Sequence, residues 1–195
     1  MMFKIDNKHN SCHFKYITDS EMESLIFVDD IPGYEGEYGA TEEGEIYSFK
    51  SKKFLKPSLN RGGYLHVALC KTDRINGSRG KSVRVHRLVA LTFLKNPNNL
   101  PCVDHVDRNK TNNNVKNLRW VTHNQNMANK APLENSSSNY KGVSLQTGKW
   151  EAYIIVDGNK KYIGRFDSET NAAVAYNNAV DRYFPGSEFH YKNIF

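Results

Sequence analysis

The chain has 195 residues, a formal net charge of +6, 38% hydrophobic and 12% aromatic residues. That length and apolar content suit several small modules with modest cores better than one large globule. No apolar run approaches the ~20 residues of a membrane span. The N-terminus lacks the apolar core of a signal peptide. The three cysteines, Cys12, Cys70 and Cys102, form neither a Cys-x-x-Cys zinc pair nor a disulfide framework, so an intracellular, cytoplasmic protein is expected.

Residues 1–27 are polar, irregular and of no evident role. The charge is concentrated further on: from Lys50 to Lys130 there are 17 Lys or Arg against only Asp73, Asp104 and Asp107. Such a block points to a polyanionic partner, because each neutralised phosphate releases condensed counterions. Ile31-Pro32-Gly33-Tyr34-Glu35-Gly36 is a turn-rich entry segment. Glu45–Phe49 reads as a short strand, Arg61-Gly62-Gly63 as a turn, and Tyr64–Leu69 as a second strand. Lys71–Gly80 is a polar loop turning at Asn76-Gly77. Val83–Leu94 begins extended and becomes helical, with Leu88, Val89, Leu91, Phe93 and Leu94 at helical spacing and Pro97 to stop it. His86, at the start of that apolar run, reads as structural, and His66 as facing out from its strand.

Cys102–Lys130 carries the most chemistry. Val103-Asp104-His105-Val106 is a short strand, Asn109–Asn114 an Asn-rich turn, and Asn117-Leu118-Arg119-Trp120-Val121 a second strand. Thr122 and Gln125 then have the spacing of a capping box, which opens a helix with Asn126 in its first or second turn. Asp104 offers a carboxylate oxygen and Asn126 an amide oxygen, the donors a hard divalent ion prefers. Histidine is the side chain suited to taking a proton from water near neutral pH, which makes His105 the candidate. Because strand neighbours face opposite ways, His105 would need a distorted strand end, or a loop position, to serve the same phosphate. His123 fits a helix surface or a DNA contact equally well.

Residues 131–138, with Pro132 and Ser136-Ser137-Ser138, have the composition of a flexible linker. Beyond it, Trp150, Ala152, Ile154 and Val156 alternate with Glu151, Tyr153, Ile155 and Asp157, the period of a two-faced strand. Asp157-Gly158 marks a hairpin, Tyr162–Phe166 the return strand, and Ser168 the cap of a helix from Glu169. Ala172, Ala175, Tyr176, Ala179, Val180 and Tyr183 form that helix's buried stripe, and Pro185-Gly186 ends it.

The run Val103-Asp104-His105-Val106-Asp107, with Asn109, Asn112 and Asn113, followed by Asn117-Leu118-Arg119-Trp120-Val121-Thr122, resembles the HNH nuclease motif of phage and intron homing endonucleases. The resemblance implies an α+β protein with a ββα-metal core at 96–130. It implies His105 as general base, Asn117 as the residue pinning the loop that orients it, and Asp104 and Asn126 as ligands of Mg²⁺ or Mn²⁺. Residues 28–95, with Lys56-Pro57-Ser58-Leu59, Gly62-Gly63-Tyr64 and Val85-His86-Arg87-Leu88-Val89-Ala90, resemble a modular element found upstream of such cores. There Arg84 and Arg87 are expected on DNA phosphates, as is Arg119 in the core. Residues 139–195, by Tyr140-Lys141-Gly142-Val143, Gly148-Lys149-Trp150-Glu151-Ala152 and Tyr162-Ile163-Gly164-Arg165-Phe166-Asp167, resemble the plant ethylene-response-factor DNA-binding domain. That implies a small three-stranded antiparallel sheet backed by one helix. Lys141, Gln146, Lys149, Glu151, Tyr153 and Lys160 would then face DNA. Ser144, Gln146 and Ile155 stand where that family typically has Arg, so its target sequence is not carried over. The expected activity is nicking or cleavage of double-stranded DNA in a bacterial host cell by a monomer, with no membrane partner. The alternatives are a non-catalytic DNA-binding regulator with a relic nuclease core, or a restriction or repair nuclease.

Overall fold

The structure is a computed structural model that describes residues 26–70, 80–132 and 135–195, with the backbone of two short strands nearer the N-terminus. Most of segment 1–27, Cys12 and the expected Asn76-Gly77 turn lie outside the described residues. The chain divides into two compact units, Met1–Val121 and Thr122–Phe195.

In the first unit, β1 (Phe3–Lys4), β2 (Phe14–Tyr16), β3 (Ile26–Asp30), β4 (Tyr38–Ala40), β5 (Ile46–Ser48) and β6 (Lys53–Phe54) follow one another in a single antiparallel sheet. A second sheet holds β7 (Ser58–Leu59), β8 (Leu65–Leu69) and β9 (Lys81–Arg84). The turn into β8 is built by Asn60, whose Oδ1 accepts from the N–H groups of Gly62 and Tyr64 at 2.9 and 3.0 Å. Helix α1 (Val85–Phe93) follows β9 directly, and β10 (Cys102–His105) pairs with β11 (Leu118–Val121) as an antiparallel hairpin.

Val85, Leu88, Val89 and Ala90 of α1 pack with Ile31, Ala40, Ile46, Val67, Leu69, Val103 and Leu118 in one core. Each fully buried Val or Leu stabilises by roughly 1.5–3 kcal/mol, so this helix ties both sheets to the hairpin. Leu91, expected on the apolar stripe, is exposed, and Val85 and His86 are buried instead. The helix reaches inward a turn earlier than the spacing of its leucines suggested. It also ends before Pro97: Leu94 closes it with a bond to the Ala90 carbonyl, and Asn96 then clasps both backbone groups of Leu100.

The second unit opens with helix α2 (His123–Asn129), and its capping box is formed: Thr122 Oγ1 accepts from Gln125 N–H, and Gln125 Oε1 accepts from Thr122 N–H. Strands β12 (Val143–Gln146), β13 (Lys149–Val156) and β14 (Asn159–Phe166) make a meander backed by α3 (Glu169–Tyr183), whose N-cap is Ser168. Ala152, Ile154 and Val156 of β13 and Ala172, Ala173, Tyr176, Ala179 and Val180 of α3 are buried in its two apolar clusters. Tyr183 is exposed rather than part of the stripe, and Ala173 takes a buried place. At Gly142, which has a positive φ of 72°, any Cβ would stand 2.2 Å from the Tyr176 ring, so the backbone and the aromatic face need glycine there. Of the serine run expected to be flexible, Ser138 is buried and its hydroxyl donates to Glu169 at 2.7 Å.

Candidate active site

The β10–β11 ladder sets Asp104 opposite Arg119 and His105 opposite Leu118. Strand neighbours point to opposite faces, and their contacts divide accordingly. The Asp104 carboxylate accepts from Arg119 Nε at 3.0 Å and Nη2 at 2.9 Å, both bonds on Oδ2. The pair is mostly buried, with side-chain exposures of 8% for Asp104 and 16% for Arg119. His105, the last residue of β10 before the loop, pairs in register with Leu118. Its ring is buried at 4% exposure. It lies 4.9 Å from the ring of His86 and 6.0 Å from that of Tyr64.

His105 Nε2 and Asn113 Oδ1 are 3.1 Å apart. An amide oxygen only accepts, so Nε2 is the donor in this bond. Asn113 is itself buried and is held from the upstream element. Gly44, at φ 97°, sits so close that a Cβ there would meet Asn113 backbone and side chain at 2.7–2.8 Å. Beside it the Val115 N–H donates to the Glu42 carbonyl at 2.7 Å.

Asn117 closes the 3₁₀ turn Val115–Asn117 that leads into β11. Its Oδ1 accepts from Asp107 N–H at 3.0 Å, and its Nδ2 donates to Asp107 Oδ1 and to the Asn112 carbonyl, each at 2.8 Å. Its own carbonyl accepts from Val106 N–H at 2.8 Å. Asp107 is the hub of the loop, accepting also from Asn112 Nδ2 at 2.7 Å and Asn109 N–H at 2.8 Å. Burial acts to raise the Asp107 pKa, yet the bonds from Asn112, Asn117 and Asn109 outweigh it and hold the carboxyl below its ordinary value.

His86 is 3% exposed, its Nδ1 has no hydrogen-bond partner, and its pKa falls to about 3. Burial is the main cause, and the charges of His105, Arg84 and Arg87 add to it. The reading of His86 as a structural residue fits this burial. His66, expected to face out, is half-buried with its Nδ1 enclosed and unpartnered.

Asn126 lies on α2, in the second unit, where its N–H donates to the Thr122 carbonyl at 3.0 Å. His123 is exposed at the head of that helix. Among the residues expected on DNA, Arg84 is exposed, 5.1 Å from the Tyr64 ring centroid. Arg87 donates to the Pro101 carbonyl at 3.0 Å and lies against Trp120, while Arg119 is engaged by Asp104. In the second unit the Lys141 ammonium donates to the carbonyls of Met127, Ala128 and Lys130 at the end of α2. Lys149 pairs with Asp167. Lys160 Nζ stands 3.9 Å from the centre of the Tyr153 ring, and Gln146 is exposed at the end of β12. Glu151 and Tyr153 are half-buried on the sheet face away from Ala152 and Ile154.

Three relationships escaped sequence reasoning: the Asn113–His105 bond, the Asp104–Arg119 pair and the gathering of side chains on Tyr64. For the second a signal existed, since an antiparallel hairpin over 102–121 sets those two residues opposite each other.

For a metal, the chemistry of the donors is informative. Asp104 and Asn126 both offer oxygen, which suits a hard ion such as Mg²⁺ that takes one or two ligands from the protein and fills the rest with water and phosphate. No group of three or more His, Cys, Asp or Glu stands together among the described residues.

Residues 83–128 match the HNH endonuclease family model, and residues 29–70 match the NUMOD4 motif. The chain therefore carries an HNH endonuclease domain behind a NUMOD4 motif, and it is homologous to the phage homing endonuclease I-HmuI. It is 46% identical over 100 residues to DNA endonuclease I-HmuI of Bacillus phage SP01, a match covering 51% of this chain and 55% of that protein. It is 46% identical over 90 residues to uncharacterized HNH endonuclease L245 of Acanthamoeba polyphaga mimivirus, covering 46% of this chain and 26% of that one. H-N-H endonuclease F-TflII of Escherichia phage T5 is 39% identical over 100 residues, covering 47% of this chain and 46% of its own. The chain thus spans between about a quarter and about half of these relatives. The solved structure described as DNA binding and cleavage by the HNH homing endonuclease I-HmuI aligns with a TM-score of 0.48 at 31% identity, covering 83% of this chain and 84% of that one. Asp104, His105, Asn117 and Asn126 all fall inside the matched HNH segment.

Proposed function

We propose that this protein is a metal-dependent homing endonuclease that nicks or cleaves double-stranded DNA by hydrolysing a phosphodiester. The observation that carries the reading is the His105–Asn113 bond. With Nε2 donating to Asn113, the neutral imidazole would present Nδ1 to take a proton from water, at the end of a strand that also bears a carboxylate. Asn117, by knotting the 107–117 loop, keeps Asn113 and the strand end in place. Asp104 and Asn126 would hold the divalent ion, Mg²⁺ or Mn²⁺; when bound it supplies charge neutralisation at the phosphate and at the leaving oxygen. Proton transfer by a positioned His is worth roughly 10²–10⁴ in rate, so each member of this set should matter strongly.

The sheet β12–β14, carrying Gln146, Lys149, Glu151, Tyr153 and Lys160 on one side and α3 on the other, is the proposed DNA-reading surface. A major groove ~12 Å wide admits a β-ribbon that presents side chains to base edges. A single HNH site cuts one strand, so a monomer should nick. Supercoiled plasmid incubated with the protein and Mg²⁺, then resolved into nicked and linear forms, tests this. Nicked circles that disappear on adding a chelator are expected. Cleavage that persists in chelator would overturn the metal assignment, and intact plasmid under all divalent ions would overturn the enzyme reading.

A further inference from the structure

One aromatic residue of the NUMOD4 motif collects four side chains of the HNH domain. The Tyr64 ring lies 5.1 Å from the His86 ring and 6.0 Å from the His105 ring. The Arg84 guanidinium carbon and the Lys110 Nζ each stand 5.1 Å from its centroid. The two cations come from different elements, the end of β9 and the Asn-rich loop, and equal distances to one point put them within about 10 Å of each other. Lys110 is fixed there by donating to the Gly62 carbonyl at 2.9 Å. Both residues are exposed, and among the described residues neither is in an ion pair.

Two like charges held at one ring repel each other, and the ring's negative faces offset only part of that. An anion arriving at the Tyr64 platform would satisfy both. The nearness of His105, 6.0 Å from the same ring, indicates which anion: a phosphodiester group of the strand being cut. We propose that Arg84 and Lys110, mounted on Tyr64, form a subsite for a DNA backbone phosphate adjacent to the one presented to His105. This rests on the reading of His105 as the base in DNA hydrolysis. Phosphate contacts set the register of a duplex without reading its sequence, and a register error of about 1 Å at the reacting atoms can cost ~10² in rate. The upstream motif would thus position the substrate for the nuclease as well as brace its loop.

The test is the salt dependence of duplex binding, measured in chelator so that nothing is cut, followed by nicking in Mg²⁺. Each lost phosphate contact lowers the slope of log K against log salt by about 0.9. Lys110→Met and Arg84→Met should each lower it by that amount, and Tyr64→Leu by about twice as much. Lys110→Arg and Tyr64→Phe should keep the parental slope, as should Lys192→Met in the second unit. Nicking by Lys110→Met should stay below the parental rate even when DNA is saturating at low salt, because register is lost together with affinity. Parental slopes in Lys110→Met and Arg84→Met would overturn the subsite, even with nicking intact. A parent that never nicks would instead sink the hydrolase reading and leave the slopes to judge the subsite.

Discussion

Arg119 crosses the hairpin to set two nitrogens on one oxygen of Asp104, at 2.9 and 3.0 Å, with both side chains largely buried. Removing one member of such a pair leaves an uncompensated charge in a poorly solvated place and costs roughly 3–5 kcal/mol. Arg119→Ala should therefore lower the unfolding free energy by an amount in that range, read by urea denaturation. Arg119→Lys should lose less. If Arg119→Ala were as stable as the parent but bound DNA more weakly, the arginine would belong to the DNA interface instead.

Asn113 should matter through the tautomer of His105. Asn113→Ala removes the acceptor on Nε2, and the proton can then move to Nδ1, where it blocks the base. Single-turnover nicking at saturating DNA should fall by on the order of 10², with DNA affinity unchanged. A rate within twofold of the parent would show that the bond does not set the base.

His86 predicts how stability varies with pH. Its folded pKa is near 3 against an ordinary 6.5, so the unfolded chain takes up a proton first as acid is added. The stability contributed by the neutral ring is complete above pH 6.5 and is lost as pH falls towards 3, at about 1.4 kcal/mol per unit. Between pH 7.5 and 5, the parent should lose about 2 kcal/mol more than His86→Phe. Parallel pH profiles for the two proteins would contradict a buried neutral imidazole.

Lys141 was expected on DNA, but its ammonium lies at the end of α2, and its backbone is clasped on both sides by the buried Asn193. Lys141→Met should remove donors from three carbonyls and destabilise the second unit by about 1–3 kcal/mol. The salt slope of DNA binding should stay at the parental value. A slope reduced by about 0.9 with no loss of stability would return Lys141 to the DNA surface.

The strands β5, β8, β10, β11, β13 and β14, both capping motifs and the two-faced alternation of β13 were legible in the sequence because each is a local signal of period, cap or turn. The placement of Asp104 and His105 on the first strand of the hairpin, and of Asn126 on the helix that follows it, was legible too. What escaped depends on contacts between distant segments: Gly44 and Glu42 against the 113–115 loop, and Tyr64 against His86, His105 and Lys110. Leu91 and Tyr183 were misplaced because helical spacing gives a face only to within a residue or so. Neighbouring positions at that angle are then chosen by the partner surface.

The most direct test of the account is single-turnover nicking of supercoiled plasmid by His105→Ala in Mg²⁺, with duplex affinity measured alongside in chelator. The expected result is a fall in rate of at least about 10² at parental affinity. Nicking at the parental rate would contradict the assignment of His105 as the base on which the whole site is built.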